Sequence, residues 1–288
     1  MAISPLYTIH RYTDEIYKVI AFKGQRDPDA ISLRGMSDPK QNDSKLENNF
    51  SRARSLVLQY ALCNEWDYFF TGTLDQRKFD RFDLDTYSSR LSQFIRDKRK
   101  KYQSQIQVLL VPERHKDGAW HIHGLISGLP ARQLRAFTPP APQRLIDGGF
   151  LNWPDYQNTF GFCSLAPIRD PVATAFYITK YVSKDLSRRS GDVGKHLYFH
   201  SRPLKKAERA SDIYFYQPDL EQYCTQDFDF VKTGMVQDAS WSFPYQWDGV
   251  ELPDLEPLYP LPAPLAPEPQ FRPETIDPFY YQQLRMEI

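Results

Sequence analysis

Disulfide chemistry and thiolate metal sites are the first things this sequence excludes. Its three cysteines, Cys63, Cys163 and Cys224, are odd in number, far apart, and form no Cys-x-x-Cys pair. That usage suits a reducing interior, and a cytoplasmic protein is the expectation. No apolar run approaches the length of a membrane span. The opening stretch, MAISPLYTIHRYTDEIYKV, lacks a basic start followed by an apolar core, so no secretory signal is expected. No predicted strand leads into a glycine-rich phosphate loop. The nearest stretch, GDVGKH (191–196), has neither the glycine spacing nor the Ser or Thr of a nucleotide loop, so no NTPase motif is visible. No repeat of solenoid length occurs.

What is present is a folded composition, 41% hydrophobic and 15% aromatic. The formal net charge of zero is the sum of two unlike parts. From Thr233 to the end there are two basic residues (Arg272, Arg285) against nine acidic ones, which leaves 34 basic and 27 acidic residues in the rest. A basic body with an acidic tail points to a polyanionic partner for the body, although such asymmetry also occurs in ordinary proteins. The stretch 252–278 is dense in proline and reads as extended chain. The aromatic SWSFPYQW before it has enough apolar surface to pack back onto the body.

Apolar spacing predicts a helix over 44–66 and a second over 83–102, with acidic residues at its start and RDKRKK at its end. DYFFTGTLD (67–75) predicts a strand. Residues 104–113 and 120–129 read as strands joined by the Asp-Gly turn of RHKDGA. A further strand over 160–168, a helix over 171–189 opened by proline, and short strands in KHLYFHS and DIYFYQP complete the reading. This order predicts an α+β fold, a mostly antiparallel central sheet with helices on one face. The expected division is an N-terminal extension (1–43), a body (44–232) and an acidic, proline-rich tail (233–288).

Two stretches carry chemistry. In WHIHGL, His121 and His123 fall on one side of a strand, with Trp120, Ile122 and Gly124 on the other. If the hairpin turn spans about five residues, Glu113 faces His123 and His115 faces His121. A loop one residue shorter or longer would reverse the facing. Two imidazoles and a carboxylate on one surface would bind a divalent ion and leave positions open for substrate oxygens. In FYITKYVSKD, Tyr177 and Tyr181 share a helix face, each followed by a lysine three residues on, Lys180 and Lys184. A phenol titrates near pH 10 and is a poor nucleophile unless a cation assists it. Aromatics at this spacing equally suit a core stripe.

These residues resemble the HUH endonucleases: rolling-circle replication initiators of phages, plasmids and small single-stranded DNA viruses, with the related relaxases and transposases. His121-Ile122-His123 is similar to the His-hydrophobic-His of that family. Glu113-Arg114-His115 resembles the Glu-x-His run found eight residues ahead of the pair, FFTGTLD resembles the first, Thr-bearing motif, and YITK and YVSK resemble the Tyr-x-x-Lys helix. The paired tyrosines look like the phage-type initiator. The resemblance spans residues 66–190 and implies an RRM-like (ferredoxin-like) sheet. It also implies Mg²⁺ or Mn²⁺ on His121, His123 and Glu113, and attack by Tyr177 or Tyr181 on single-stranded origin DNA, leaving a 5′-phosphotyrosine that a later 3′-hydroxyl can resolve. Lys180 and Lys184 would assist the tyrosines, with His115 a plain strand residue. The basic residues Arg96, Lys98, Arg99, Lys100, Lys101, Arg188 and Arg189 are expected to track phosphates. The implied setting is a bacterial host cell, with single-stranded or supercoiled origin DNA as partner, a host helicase and polymerase supplied in trans, and no membrane. A transposase or relaxase with the same chemistry, a non-catalytic DNA-binding module, and a water-using phosphoesterase stay open as alternatives.

Overall fold

The computed structural model describes residues 6–23, 39–115, 117–183, 197–213, 220, 222–227, 231–237 and 256–257. The first half runs β1 (Tyr7–Arg11), β2 (Ile16–Phe22), α1 (Pro39–Leu62), β3 (Tyr68–Thr73), α2 (Leu84–Tyr102), β4 (Gln107–Arg114), β5 (Trp120–Ser127), β6 (Arg135–Ala136) and α3 (Gln143–Asp147). There follow β7 (Leu151–Asn152), α4 (Pro154–Thr159), β8 (Cys163–Pro167), α5 (Pro171–Ser183), β9 (Phe199–His200), β10 (Glu208–Ile213), β11 (Gln226–Asp227), β12 (Val231–Gln237) and β13 (Glu256–Pro257).

The chain divides into two compact units, Met1–Glu47 with Lys205–Pro264, and Asn48–Leu204 with Leu265–Ile288. In the first, strands from both ends of the sequence form one antiparallel sheet ordered β10-β1-β2-β12-β11, with β13 beside β12. Tyr7, Ile9, Tyr17, Val19 and Ala21 alternate onto one face and meet Ile213, Leu220, Tyr223 and Val236. The grouping therefore differs from the expected 1–43, 44–232 and 233–288. The N-terminal residues are strands of a sheet, and β12 runs straight through the boundary drawn between 232 and 233. Most of the proline-rich tail, SWSFPYQW and the end of DIYFYQP lie outside the described residues.

The second unit is built on a seven-stranded sheet ordered β6-β7-β8-β3-β5-β4-β9. Its four middle strands, β8-β3-β5-β4, are the fourth, first, third and second of a β-α-β-β-α-β run, antiparallel throughout. That is consistent with the expected ferredoxin-like sheet. Helix α2 forms close to where the sequence placed it. Asp83 caps its start by accepting from the Thr86 amide at 3.0 Å, and Gln103 turns left-handed (φ 53°) at its end. Its Tyr87, Leu91, Phe94 and Ile95 pack with Phe70, Leu110, Trp120 and Ile122 of the sheet and with Tyr156 and Phe160 at α4. Helices α2 and α4 thus share one face, while α5 packs against β4 and β5 and brings Tyr177 and Tyr181 onto Phe69 and His123 of the opposite one.

Residues 128–160, to which the sequence reading assigned nothing, wrap an insertion of short elements around Trp153, Tyr156 and Phe160, all fully buried. One carboxylate locks it to α2: Asp155 Oδ2 accepts from Tyr102 Oη at 2.8 Å, from Lys101 Nζ at 3.1 Å and from Lys98 Nζ. Burial alone would raise the Asp155 pKa, but the hydrogen bonds from Lys98, Tyr102 and Lys101 outweigh it and hold the group at about 2. Asp155→Ala leaves three donors without their acceptor. It should cost about 2 kcal/mol of unfolding free energy, read as a lower urea midpoint. An unchanged midpoint would mean that these donors are satisfied by water.

Candidate active site

The turn between β4 and β5 sets the site. Gly118 adopts φ +87° and donates its amide to His115 O at 2.9 Å, and Asp117 Oδ1 accepts from the Ala119 amide at 3.0 Å. The ladder closes with Arg114 opposite Trp120, which puts Glu113 opposite His121 and Val111 opposite His123. This corrects the expected pairing of Glu113 with His123 and His115 with His121. The shift is two residues, so parity survives and Glu113 stays on the histidine face. From there it reaches its diagonal neighbour: Glu113 Oε2 lies 2.7 Å from His123 Nε2.

His123 is wholly buried, with Nδ1 3.3 Å from the hydroxyl of Thr71 on the adjoining strand β3. Its Nε2 sits against the carboxylate without the geometry of a hydrogen bond. An imidazole nitrogen and a carboxylate oxygen aimed at one place suit a shared proton or cation. The His121 ring instead stacks on His115, centroids 5.0 Å apart. Burial first, then the neighbouring His123 and His115, push its pKa down to about 3, so it is neutral at neutral pH. His115 in turn lies 3.5 Å from Asp117, which Arg81 holds at 2.5 Å. Among the described residues, no three His, Cys, Asp or Glu side chains are gathered closely enough to hold a metal ion as they stand. The donor types of the expected trio fit a divalent ion and two of the three converge, while the third is turned to His115.

The tyrosines complete the face. Helix α5 starts after Asp170, whose Oδ1 accepts from the Ala173 amide at 2.8 Å. Tyr181, 3% exposed, lays its ring flat on His123 with centroids 4.0 Å apart and planes 20° apart. Its hydroxyl donates to Tyr177 Oη at 2.6 Å. Tyr177 is half-buried, packed on Phe69 at 5.4 Å, and Lys180 Nζ stands 5.3 Å from its ring centroid. Thr71, Glu113, His123, Tyr181 and Tyr177 therefore form one connected cluster, drawn from three separated motifs. Phe69, which wedges both tyrosines, was missed; its signal was its parity with Thr71.

The expected basic run does not lie on this face. It ends α2, on the other side of the sheet, where Lys98 and Lys101 bind Asp155 and Arg99 donates to Ile106 O and to Ser201 Oγ. Arg96 and Lys100 are exposed, with Arg96 donating to Gln93. Lys184, Arg188 and Arg189 lie outside the described residues.

The low His121 pKa has a stability consequence. As pH falls below the ordinary imidazole value of 6.5, the unfolded chain takes up a proton that the folded chain refuses until about pH 3. The contribution of this group is thus full above pH 6.5 and is lost on going down toward 3, at up to about 1.4 kcal/mol per pH unit. In metal-free buffer the urea midpoint should fall between pH 7 and pH 5, and His121→Gln should flatten that fall. Equal falls in both proteins would assign the slope to other groups.

A family model for the replication-associated protein ORF2 family matches residues 67–186. The matched stretch contains Thr71, Glu113, both histidines and both tyrosines, and the match supports a role in initiating replication. No curated protein and no solved structure gives a match. Among the described residues, no helix is long and apolar enough to cross a membrane.

Proposed function

We propose that the replication role supported by the family match is exercised as nicking and rejoining of single-stranded origin DNA in rolling-circle replication, with Tyr177 as the first nucleophile. One observation carries this reading: Tyr181 lies on His123 and hands its hydroxyl proton toward Tyr177. That contact joins the histidine strand and the tyrosine helix into one site. A hydrogen bond into Tyr177 Oη stabilises negative charge developing there, and the half-buried Tyr177 is the ring of the two that a substrate reaches.

Attack forms a bond from Tyr177 Oη to phosphorus and breaks the bond from phosphorus to the 3′ oxygen, which leaves as a hydroxyl after taking up a proton. The phosphodiester energy stays in the phosphotyrosine, so a later 3′-hydroxyl can reverse the step without ATP. Lys180 adds positive charge beside the phosphate. A Mg²⁺ or Mn²⁺ ion held by His123, Glu113 and His121 would supply polarisation of the scissile phosphate. Thr71 and Glu113 orient the buried His123 from either side. The partners are origin DNA, single-stranded or supercoiled, and a helicase and polymerase of the host.

The test mixes the protein with single-stranded oligonucleotides covering the intergenic region of its own replicon, with Mn²⁺ or with EDTA, and resolves products under denaturing conditions. The expected result is a covalent protein–DNA adduct that EDTA prevents. Cleavage without an adduct would replace the tyrosine mechanism with attack by water. Binding without cleavage would leave an origin-binding protein that is not an enzyme.

A further inference from the structure

At the hairpin end of the histidine face stands the one large hydrophobic side chain exposed among the described residues, Phe82, at 56%. It belongs to the loop DQRKFDRFD (75–83), which continues from β3 alongside the start of β5, where the Trp120 amide donates to Arg81 O at 2.9 Å. The loop around this ring is fixed. Asp75 is buried and held by Arg77, Phe79 stacks on Phe160 at 5.2 Å, Lys78 donates to Gln157 O at 3.0 Å, and Arg81 is buried against Asp117. Phe82 itself is pinned at both backbone ends. Its amide donates to Asp80 Oδ1 at 2.9 Å, and its carbonyl accepts from the Trp120 indole at 3.1 Å. The ring is therefore presented to solvent by a loop whose other large side chains have partners inside the protein.

Its position is as telling as its exposure. The ring lies over the turn glycine: a Cβ on Gly118 would stand 3.4 Å from Phe82 Cε1. The same turn carries His115, whose ring stacks on His121. Three residues of strand, about 10 Å, separate Gly118 from His121, so Phe82 borders the site on the side where the sheet ends. An aromatic face held rigidly in water beside a phosphate-handling site needs no further ordering to accept a planar ring, and every nucleobase offers one.

We propose that Phe82 is a stacking platform for one base of the DNA strand beside the scissile phosphate, an inference that rests on the single-stranded DNA substrate proposed above. It binds the base through its π-face, not the phosphate through charge, so it adds affinity for unpaired strands without changing how that affinity responds to salt.

The experiment measures fluorescence anisotropy of labelled dT20, and of a 20-base-pair duplex, with the wild type, Phe82→Ala, Phe82→Leu and Phe82→Trp, each over a range of salt. An exposed ring contributes little to folding, so all four proteins should melt together, and circular dichroism confirms that they are comparable. Phe82→Ala should weaken dT20 binding by between about 5-fold and 150-fold, with an unchanged salt slope and no change on the duplex. Phe82→Trp should restore the affinity and Phe82→Leu should not, because leucine keeps the apolar bulk and loses the π-face. Full binding by Phe82→Ala, or rescue by Phe82→Leu, overturns the stacking role and leaves the nickase intact. Failure of the wild type to bind dT20 at all would sink the single-stranded substrate, and the stacking role with it.

Discussion

Phe in place of Tyr177 should remove the covalent adduct and lower the rate of origin cleavage by about a thousand-fold or more, because the phosphorus then has no nucleophile in reach. The same change at Tyr181 should leave the first cut measurable. Tyr181 is buried under the helix with its ring on His123 and its hydroxyl spent on Tyr177. Its loss removes one hydrogen bond to the attacking oxygen, an effect of about ten-fold. The asymmetry is the point, since two interchangeable tyrosines would give equal single mutants. Single-turnover cleavage of a labelled origin oligonucleotide, with the adduct quantified on a denaturing gel, distinguishes the two. A Tyr181→Phe protein as inactive as Tyr177→Phe would reverse the proposed order or make the pair a single unit.

Gly124→Ala is the second change with a large expected effect, this time on the fold beneath the site. Gly124 follows His123 on β5, and a Cβ there would stand 2.4 Å from the Leu109 carbonyl oxygen and 2.4 Å from Leu110 Cδ2. The leucine tip could swing away, but the carbonyl belongs to the backbone of β4 and cannot move without disturbing the ladder that holds Glu113 against the histidines. The cost should be about 3 kcal/mol. A urea titration followed by tryptophan fluorescence reads it. A midpoint within error of the wild type would show that the two strands separate more easily than this packing implies. Any Gly124→Ala protein that does fold should also cleave poorly, because the strain is released beside His123.

What was legible in the sequence was local. His121 and His123 share a face because a strand repeats every two residues, and Tyr177 and Tyr181 share one because a helix repeats every 3.6; neither statement needs the rest of the chain. The α2 boundaries were legible for the same reason, through Asp83 at one end and the basic turn at the other. Register was not. The number of residues in the hairpin turn bounded the pairing without choosing between Glu113 opposite His121 and Glu113 opposite His123, and only the closed ladder chose. Lys98, Arg99 and Lys101 looked like a free basic run because their partners lie elsewhere in the chain, at Asp155, Ile106 and Ser201. The strands at the N-terminus showed no partner for a like reason. Thr8 bonds to Asp212, 204 residues on.

That last pairing bears on how the chain comes to be folded as it is made. The described residues of the unit with the histidines and tyrosines come from one uninterrupted stretch, so their contacts can form once residue 204 has left the ribosome. The other sheet cannot. Strands β1 and β2 are synthesised first and wait, as a lone hairpin of marginal stability, until β10 and β12 appear some two hundred residues later. Closing so long a loop is slow although its entropic cost grows only with the logarithm of length. During that interval the hairpin's outer edges are open to any other extended chain. A nascent chain halted between residues 204 and 208 would therefore carry a finished histidine–tyrosine face together with a pair of strands still seeking partners. Crowding many such chains on one message would favour pairing between copies.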